Sequence, residues 1–241
     1  MSLAFDRTAA VDGVRLMAPL MVPAAPFGLA VGLIIQTGGA PRLASWASSW
    51  IIFAGSSQLA AINLVAGGAS AIVVILTVLL INARHLVYSA ALRSHFSDLP
   101  QWIRTFAPYF LTDQAFAIAS TTPGLADQTR RYRLWHYMGS ALFMWSIWQS
   151  SIVAGLIVGD AVPESWQLDF TAPILFLGLM TLSINNTPGV WAAVVGAIVS
   201  VLTRSFPNGS GLLVAILVGL AAGAFAESRT VTDEDRNEVG S

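Results

Sequence analysis

Ala69-Ser70-Ala71-Ile72-Val73-Val74-Ile75-Leu76-Thr77-Val78-Leu79-Leu80-Ile81 runs directly into Asn82-Ala83-Arg84-His85. The thirteen residues before Asn82 carry no charge. They are too few to cross a bilayer core of ~30 Å, which takes ~20 helical residues. If the helix spans, Asn82, Arg84 and His85 lie at membrane depth. A charge there costs ~2.5–3.5 kcal/mol on insertion scales, so it needs a reason. Two reasons are open. Arg84 snorkels toward the membrane surface near Arg93, or it lines a polar pathway for a solute.

Composition places the whole chain in the same class. Of 241 residues, 55% are hydrophobic and 10% charged, against ~25% charged in soluble domains. Mean hydropathy is +0.68. The length accommodates seven or eight membrane segments with short loops. A net charge of −1 gives nucleic-acid binding no electrostatic support. With no cysteine, disulfides, thiolate metal sites and thiol nucleophiles are excluded. His85, His95 and His136 are scattered, so no metal site or other cofactor is read. No phosphate-binding, dinucleotide or nucleophile-elbow motif points to an enzyme.

Apolar segments fall at about 16–36, 46–66, 69–92, 106–120, 134–158, 171–184, 188–203 and 210–226. Gly, Pro and Asn clusters separate them, which is turn chemistry. No cleavable leader is read, and 16–36 becomes the first membrane helix. That run carries Pro19, Pro23 and Pro26, followed by Gly28. Each interior proline removes a helical hydrogen bond. The run is therefore either a kinked packing helix or a broken helix near Pro23–Gly28 whose freed amides face a ligand. Residues 1–226 are read as one membrane domain and 227–241 as a disordered cytoplasmic tail. Arg130, Arg131 and Arg133 mark a cytoplasmic loop. Eight crossings put the N-terminus inside but leave Arg93 and Arg104 outside. Seven crossings, with 106–120 not spanning, put the N-terminus outside. Trp46, Trp50, Trp102, Trp135 and Trp166 suit an interfacial belt, whereas Trp145 and Trp148 sit mid-span and suit packing.

Four polar constellations interrupt the apolar runs: Gly55-Ser56-Ser57-Gln58; Asn82, Arg84, His85 and Ser89; Asp113-Gln114; and Asn185-Asn186. Interhelical hydrogen bonding would explain part of the first and a helix end the last. Asp113 is the one carboxylate well inside an apolar segment. Its natural partner is Arg84 or His85. The groups suit a zwitterion. Arg84 or broken-helix amides would take a carboxylate, and Gln58 or Asp113 an ammonium. His85 and Asp113 are the candidates for moving a proton.

Pro23-Ala-Ala-Pro-Phe-Gly28, Phe53-Ala-Gly-Ser-Ser-Gln58, Asn82-Ala-Arg-His-Leu-Val-Tyr88 and Leu111-Thr-Asp-Gln-Ala-Phe116 occur in this order. Together they resemble the AzlC family, the large subunits of bacterial branched-chain amino-acid exporters. The resemblance covers about residues 14–120, with a weaker likeness at Leu168-Asp169-Phe170. It implies an inner-membrane permease for leucine, isoleucine and valine, with methionine as a further candidate. It also implies a small hydrophobic membrane partner of the AzlD type. Two positions depart from the family pattern: Gln114 stands where glutamate is usual, and Ala83 where leucine is usual. The first removes one candidate proton carrier.

The expectation is an all-α polytopic membrane protein with seven to eight segments, some short or broken. It would export branched-chain amino acids by proton coupling. Its substrate site would draw on Pro23, Pro26, Gly28, Gly55, Ser56, Ser57, Gln58, Asn82, Arg84 and His85, with Asp113 for coupling. A passive channel for zwitterions, or an assembly subunit active only with its partner, are the competing readings.

Overall fold

The computed structural model describes residues 3–159, 184 and 186–239. The described residues are helical and contain no strand. Among them, four helical stretches are long and apolar enough to cross a membrane: Arg7–Thr37, Ala71–Ala91, Arg130–Gly159 and Ser210–Arg229. The expected segment 171–184, apart from its last residue, lies outside the described residues. So do Asp160, Glu164, Trp166, Leu168 to Phe170 and Asn185. The chain groups into two compact units, residues 1–59 with 79–168 and residues 60–78 with 169–241.

In the first unit, α1 (Arg7–Met17) starts at an Asp6 cap that accepts from the Ala9 amide at 3.2 Å. A 3-10 turn at Ala18–Leu20 leads into α2 (Met21–Thr37). The distortion thus falls at Pro19, and α2 is continuous through Pro23–Gly28. This corrects the expected break. Pro23 is the third residue of α2, where the amide lacks an intrahelical acceptor in any case. Only Pro26 is interior.

The long helix α10 (Arg130–Gly159) runs parallel to α1 and α2. Gly13 abuts His136 and Ser140, Gly28 abuts Trp148 and Ser151, and Gly32 abuts Ile152 and Gly155. A Cβ on Gly32 would stand 2.2 Å from the Ile152 carbonyl oxygen, and one on Gly155 2.1 Å from that of Leu29. Glycines four apart, Gly28 with Gly32 and Gly155 with Gly159, let the two backbones touch, as in other tightly packed membrane helices.

Between these helices, two chain segments enter the unit and turn back. Helix α3 (Arg42–Ile51) is followed by α4 (Gly55–Ala66). Gln58 Nε2 reaches the Ser45 carbonyl at 3.5 Å. Thirteen residues of straight helix would separate them by ~20 Å. So α3 and α4 form a hairpin, not the single span expected at 46–66. At its tip Phe53 has φ +34°, the one non-glycine residue with positive φ among the described residues. Ser49 fixes α3 to α10: its hydroxyl donates to Gln149 Oε1 at 2.9 Å, and Gln149 Nε2 donates back to the Ser49 carbonyl at 3.1 Å.

Helices α5 (Ala71–Asn82) and α6 (Arg84–Ala91) form one span with a slip at Ala83, where the amide bonds to Leu80 at 3.3 Å in a 3-10 turn. Then come α7 (Arg93–Phe96), α8 (Gln101–Phe106), a 3-10 turn at Ala107–Phe110 and α9 (Asp113–Thr121). The expected segment 106–120 is therefore a second hairpin. Its outward arm rises along α10: Ile103 packs with Leu134, the Tyr137 hydroxyl donates to the Ala107 carbonyl at 3.0 Å, and Phe110 faces Trp145. Its return arm, α9, packs on α1 and α10. Thr112 ends the tip by capping α9, accepting from the Ala115 amide.

This arrangement settles the arginine problem. Arg133 pairs with Asp98 at 2.7 Å and donates to the His95, Ala126 and Gln128 carbonyls. Arg131 reaches Asp6 and the Phe5 carbonyl. Arg7, Arg93, Arg104, Arg130, Arg131 and Arg133 thus lie at one end of the first unit, and Arg42 lies at the other. By the positive-inside rule that end is the one expected to face the cytoplasm. Neither 46–66 nor 106–120 is one continuous helix, and Arg93 and Arg104 fall at the same end as Arg133. Trp50 likewise leaves the belt: it sits at a hairpin tip, 4.9 Å from the Trp145 ring.

In the second unit, α11 (Thr187–Leu202) and α12 (Ser210–Val239) pair antiparallel. Asn186 caps α11, its side chain accepting from the Gly189 amide at 2.8 Å. The Thr203 hydroxyl donates to the Gly211 carbonyl at 3.0 Å. Helix α12 passes without interruption through position 226, where composition changes from apolar to charged.

Candidate functional site

The tips of the two hairpins meet at the level of Trp145, midway along α10. The Tyr109 hydroxyl donates to the Trp50 carbonyl, and the Tyr109 ring stacks on Phe53 with centroids 6.1 Å apart. Helices α4 and α9 both begin here. Each N-terminus leaves unpaired amides and carries a partial positive charge of about half a unit. Two such ends facing one point make an anion-attracting centre.

Arg84 bridges them. Its Nη2 donates to Ser56 Oγ, in the first turn of α4, at 3.0 Å. Its Nη1 pairs with Asp113 Oδ2, in the first residue of α9, at 3.0 Å. The Tyr88 hydroxyl donates to Asp113 Oδ1 at 2.9 Å, and the Tyr88 ring stacks on Phe116 at 4.2 Å. His85 meets the edge of Tyr88 at 5.9 Å. The Ser57 hydroxyl donates to Asn82 Oδ1 at 2.9 Å, which holds α4 beside the slip at Ala83. Asp113 is thus not mid-helix, as the apolar run suggests. It begins a helix, where the dipole favours its charge.

The side chains of Arg84 and Asp113 are 36% and 44% exposed. An ion pair at this depth is too costly to face lipid tails. The open side is therefore not expected to face lipid. Gln58 is fully buried beneath the α4 tip, and its Oε1 accepts no hydrogen bond among the described residues.

Seven expected site residues therefore converge: Gly55, Ser56, Ser57, Gln58, Asn82, Arg84 and Asp113, with His85 one ring away. Gly55 provides closeness, since a Cβ there would stand 2.6 Å from the Phe27 ring and 2.7 Å from Trp148. Pro23 and Pro26 lie on the exposed side of α2, and Gly28 is packed against Trp148 and Ser151. These three do not supply half-helix amides to the centre. Sequence reasoning missed Tyr109, and Tyr88 as the second partner of Asp113. Thr112 directly before Asp113 was a readable cap signal.

A polar centre held between two helix pairs, within a frame of apolar helices long enough to span, marks an α-helical membrane protein with the features of a transporter. The AzlC protein family model matches residues 19–162, and the chain belongs to that family. It is 32% identical over 221 residues to the inner membrane protein YgaZ of Escherichia coli K12, covering 88% of this chain and 87% of that one. An uncharacterized membrane protein of Archaeoglobus fulgidus is 26% identical over 206 residues, covering 83% and 88%. Another, from Helicobacter pylori, is 24% identical over 200 residues, covering 81% and 85%. No solved structure matches the chain.

Proposed function

We propose that the chain is the large subunit of a multi-pass inner-membrane exporter of branched-chain amino acids, driven by the proton gradient. Its substrates are leucine, isoleucine and valine, with methionine at the edge of the range. The observation that carries this reading is the Arg84–Asp113 pair between two helix N-termini. A zwitterion is the solute that satisfies both charges at once. Its carboxylate takes Arg84 and the α4 amides, and its ammonium takes Asp113. Proton and ammonium then compete for one carboxylate. A proton arriving from outside displaces the ammonium and releases the amino acid. Relaxation of Asp113 toward the cytoplasm returns the proton inward. With Gln114 in place of the usual glutamate, Asp113 carries this exchange without a neighbouring acid. His85, against the edge of the Tyr88 ring, is the second candidate for carrying the proton.

The open side of the ion pair supports a small hydrophobic partner of the AzlD type seated against it. Leucine, isoleucine and valine differ by branching or one methylene, worth only ~1–3 kcal/mol of discrimination. Export of an aliphatic group rather than of one amino acid follows.

The test loads cells with leucine- or valine-containing dipeptides and follows the free amino acid inside. Expression of the chain with its partner should lower internal accumulation, and a proton uncoupler should abolish the effect. Unchanged accumulation, with both proteins confirmed in the membrane, refutes the substrate. Export that ignores the uncoupler and shows no counterflow identifies a passive channel instead.

A further inference from the structure

At the arginine-rich end of the first unit, a cavity of about 190 Å³ lies between α6, α7, α8 and α10. Leu92, Phe96, Leu99 and Ile103 form its walls. The Tyr137 hydroxyl is engaged by the Ala107 carbonyl, so that wall is dry. Two lining residues reach the charge pair along the chain. Ser89 follows Tyr88, and Leu111 precedes Asp113 by two positions.

Arg93 and Arg104 also line the cavity, and both are exposed. Arg104 bonds the Gln101 side chain, and Arg93 makes no ion pair or hydrogen bond among the described residues. No carboxylate among the described residues lines the cavity. A largely apolar, partly open chamber with a cationic rim suits an aliphatic group that carries an anion. Drug-sized ligands occupy ~300–1,000 Å³, so this chamber admits a small solute and not a two-chain lipid.

We propose that this cavity is the cytoplasmic vestibule of the transporter. It receives the aliphatic side chain of an amino acid against Leu92, Phe96 and Ile103, with the carboxylate at Arg93 and Arg104. The solute then passes Leu111 to reach Asp113. The inference rests on the exporter reading above and adds to it a second, entry-side binding position.

The natural chain has no cysteine, so single thiols report without background. Leu111→Cys and Ser89→Cys are each expressed with the partner, and membranes are prepared inside-out and right-side-out. A charged, impermeant methanethiosulfonate should label both thiols from the cytoplasmic face only. Excess leucine should slow labelling at least threefold, and glutamate should not. Ser89→Cys serves if Leu111→Cys does not fold. Failure to label from the cytoplasmic face overturns the vestibule. So does labelling that none of the twenty amino acids slows, or that only added phosphatidylglycerol slows. Leucine export in the same vesicles separates the two claims. Export without protection sinks the vestibule alone. Protection by a different amino-acid class, without leucine export, keeps the vestibule and sinks the substrate assignment.

Discussion

The Tyr109 hydroxyl donates to the main-chain carbonyl of Trp50, a direct hydrogen bond between the tips of two hairpins that enter from opposite ends of the first unit. A hydrogen bond of this kind contributes ~0.5–1.5 kcal/mol. Tyr109→Phe keeps the ring on Phe53 and removes only the tie. Transport should fall several-fold while the melting temperature in detergent moves by a few degrees at most. Transport left at the natural rate would show that the tips work independently.

Arg84→Ala and Asp113→Ala should each cut transport by roughly ten- to a hundredfold. A hydrogen bond to a charged group contributes ~1.5–3 kcal/mol, and ~1.4 kcal/mol is a factor of ten. The double variant should be no worse than either single one, because the remaining partner is already useless alone. Losses that multiply would mean the two charges act separately.

Gly32→Ala places a methyl group 2.2 Å from the Ile152 carbonyl oxygen, so α2 and α10 must part. Overpacking of this kind costs ~1–3 kcal/mol. Gly196→Ala in α11 meets its nearest neighbour at 3.6 Å and gains helix propensity. Thermal unfolding in detergent should show the first variant clearly destabilised and the second unchanged or improved. Equal melting temperatures for the two would refute the close packing of α2 on α10.

Sidedness gives a further check. Cysteines placed singly at Ser97 and Asp127 should react with an impermeant reagent from the cytoplasmic face, and one at Gly39 from the opposite face. Reaction of Ser97→Cys from outside would mean that one hairpin crosses after all.

The helical membrane class was legible from hydropathy alone, and the pairing of Arg84 with Asp113 from the cost of isolated charges. The hairpins were not. An apolar run of twenty-one residues such as 46–66 reads as a span whether it continues or doubles back. The turn rests on Phe53 adopting a backbone angle that favours glycine, and no composition rule marks a phenylalanine for that. The three prolines misled for the opposite reason. Proline is tolerated in a first helical turn, so its place relative to the helix start decides its effect. Gly28 and Gly32 with Gly155 and Gly159 were visible as pairs four apart. Their partnership across more than a hundred residues depends on topology and not on local pattern.

The mutual bond between Ser49 and Gln149 also constrains how the chain is made. Ser49 leaves the ribosome a hundred residues before its partner, and α2 waits as long for the glycine face of α10. Until α10 is inserted, neither hairpin has the wall it leans on, and their polar tips have no fixed place in the bilayer. The centre therefore has its complete wall only once α10 is in place. Truncation anywhere before Gln149 should leave apolar helices in the membrane with no centre at all.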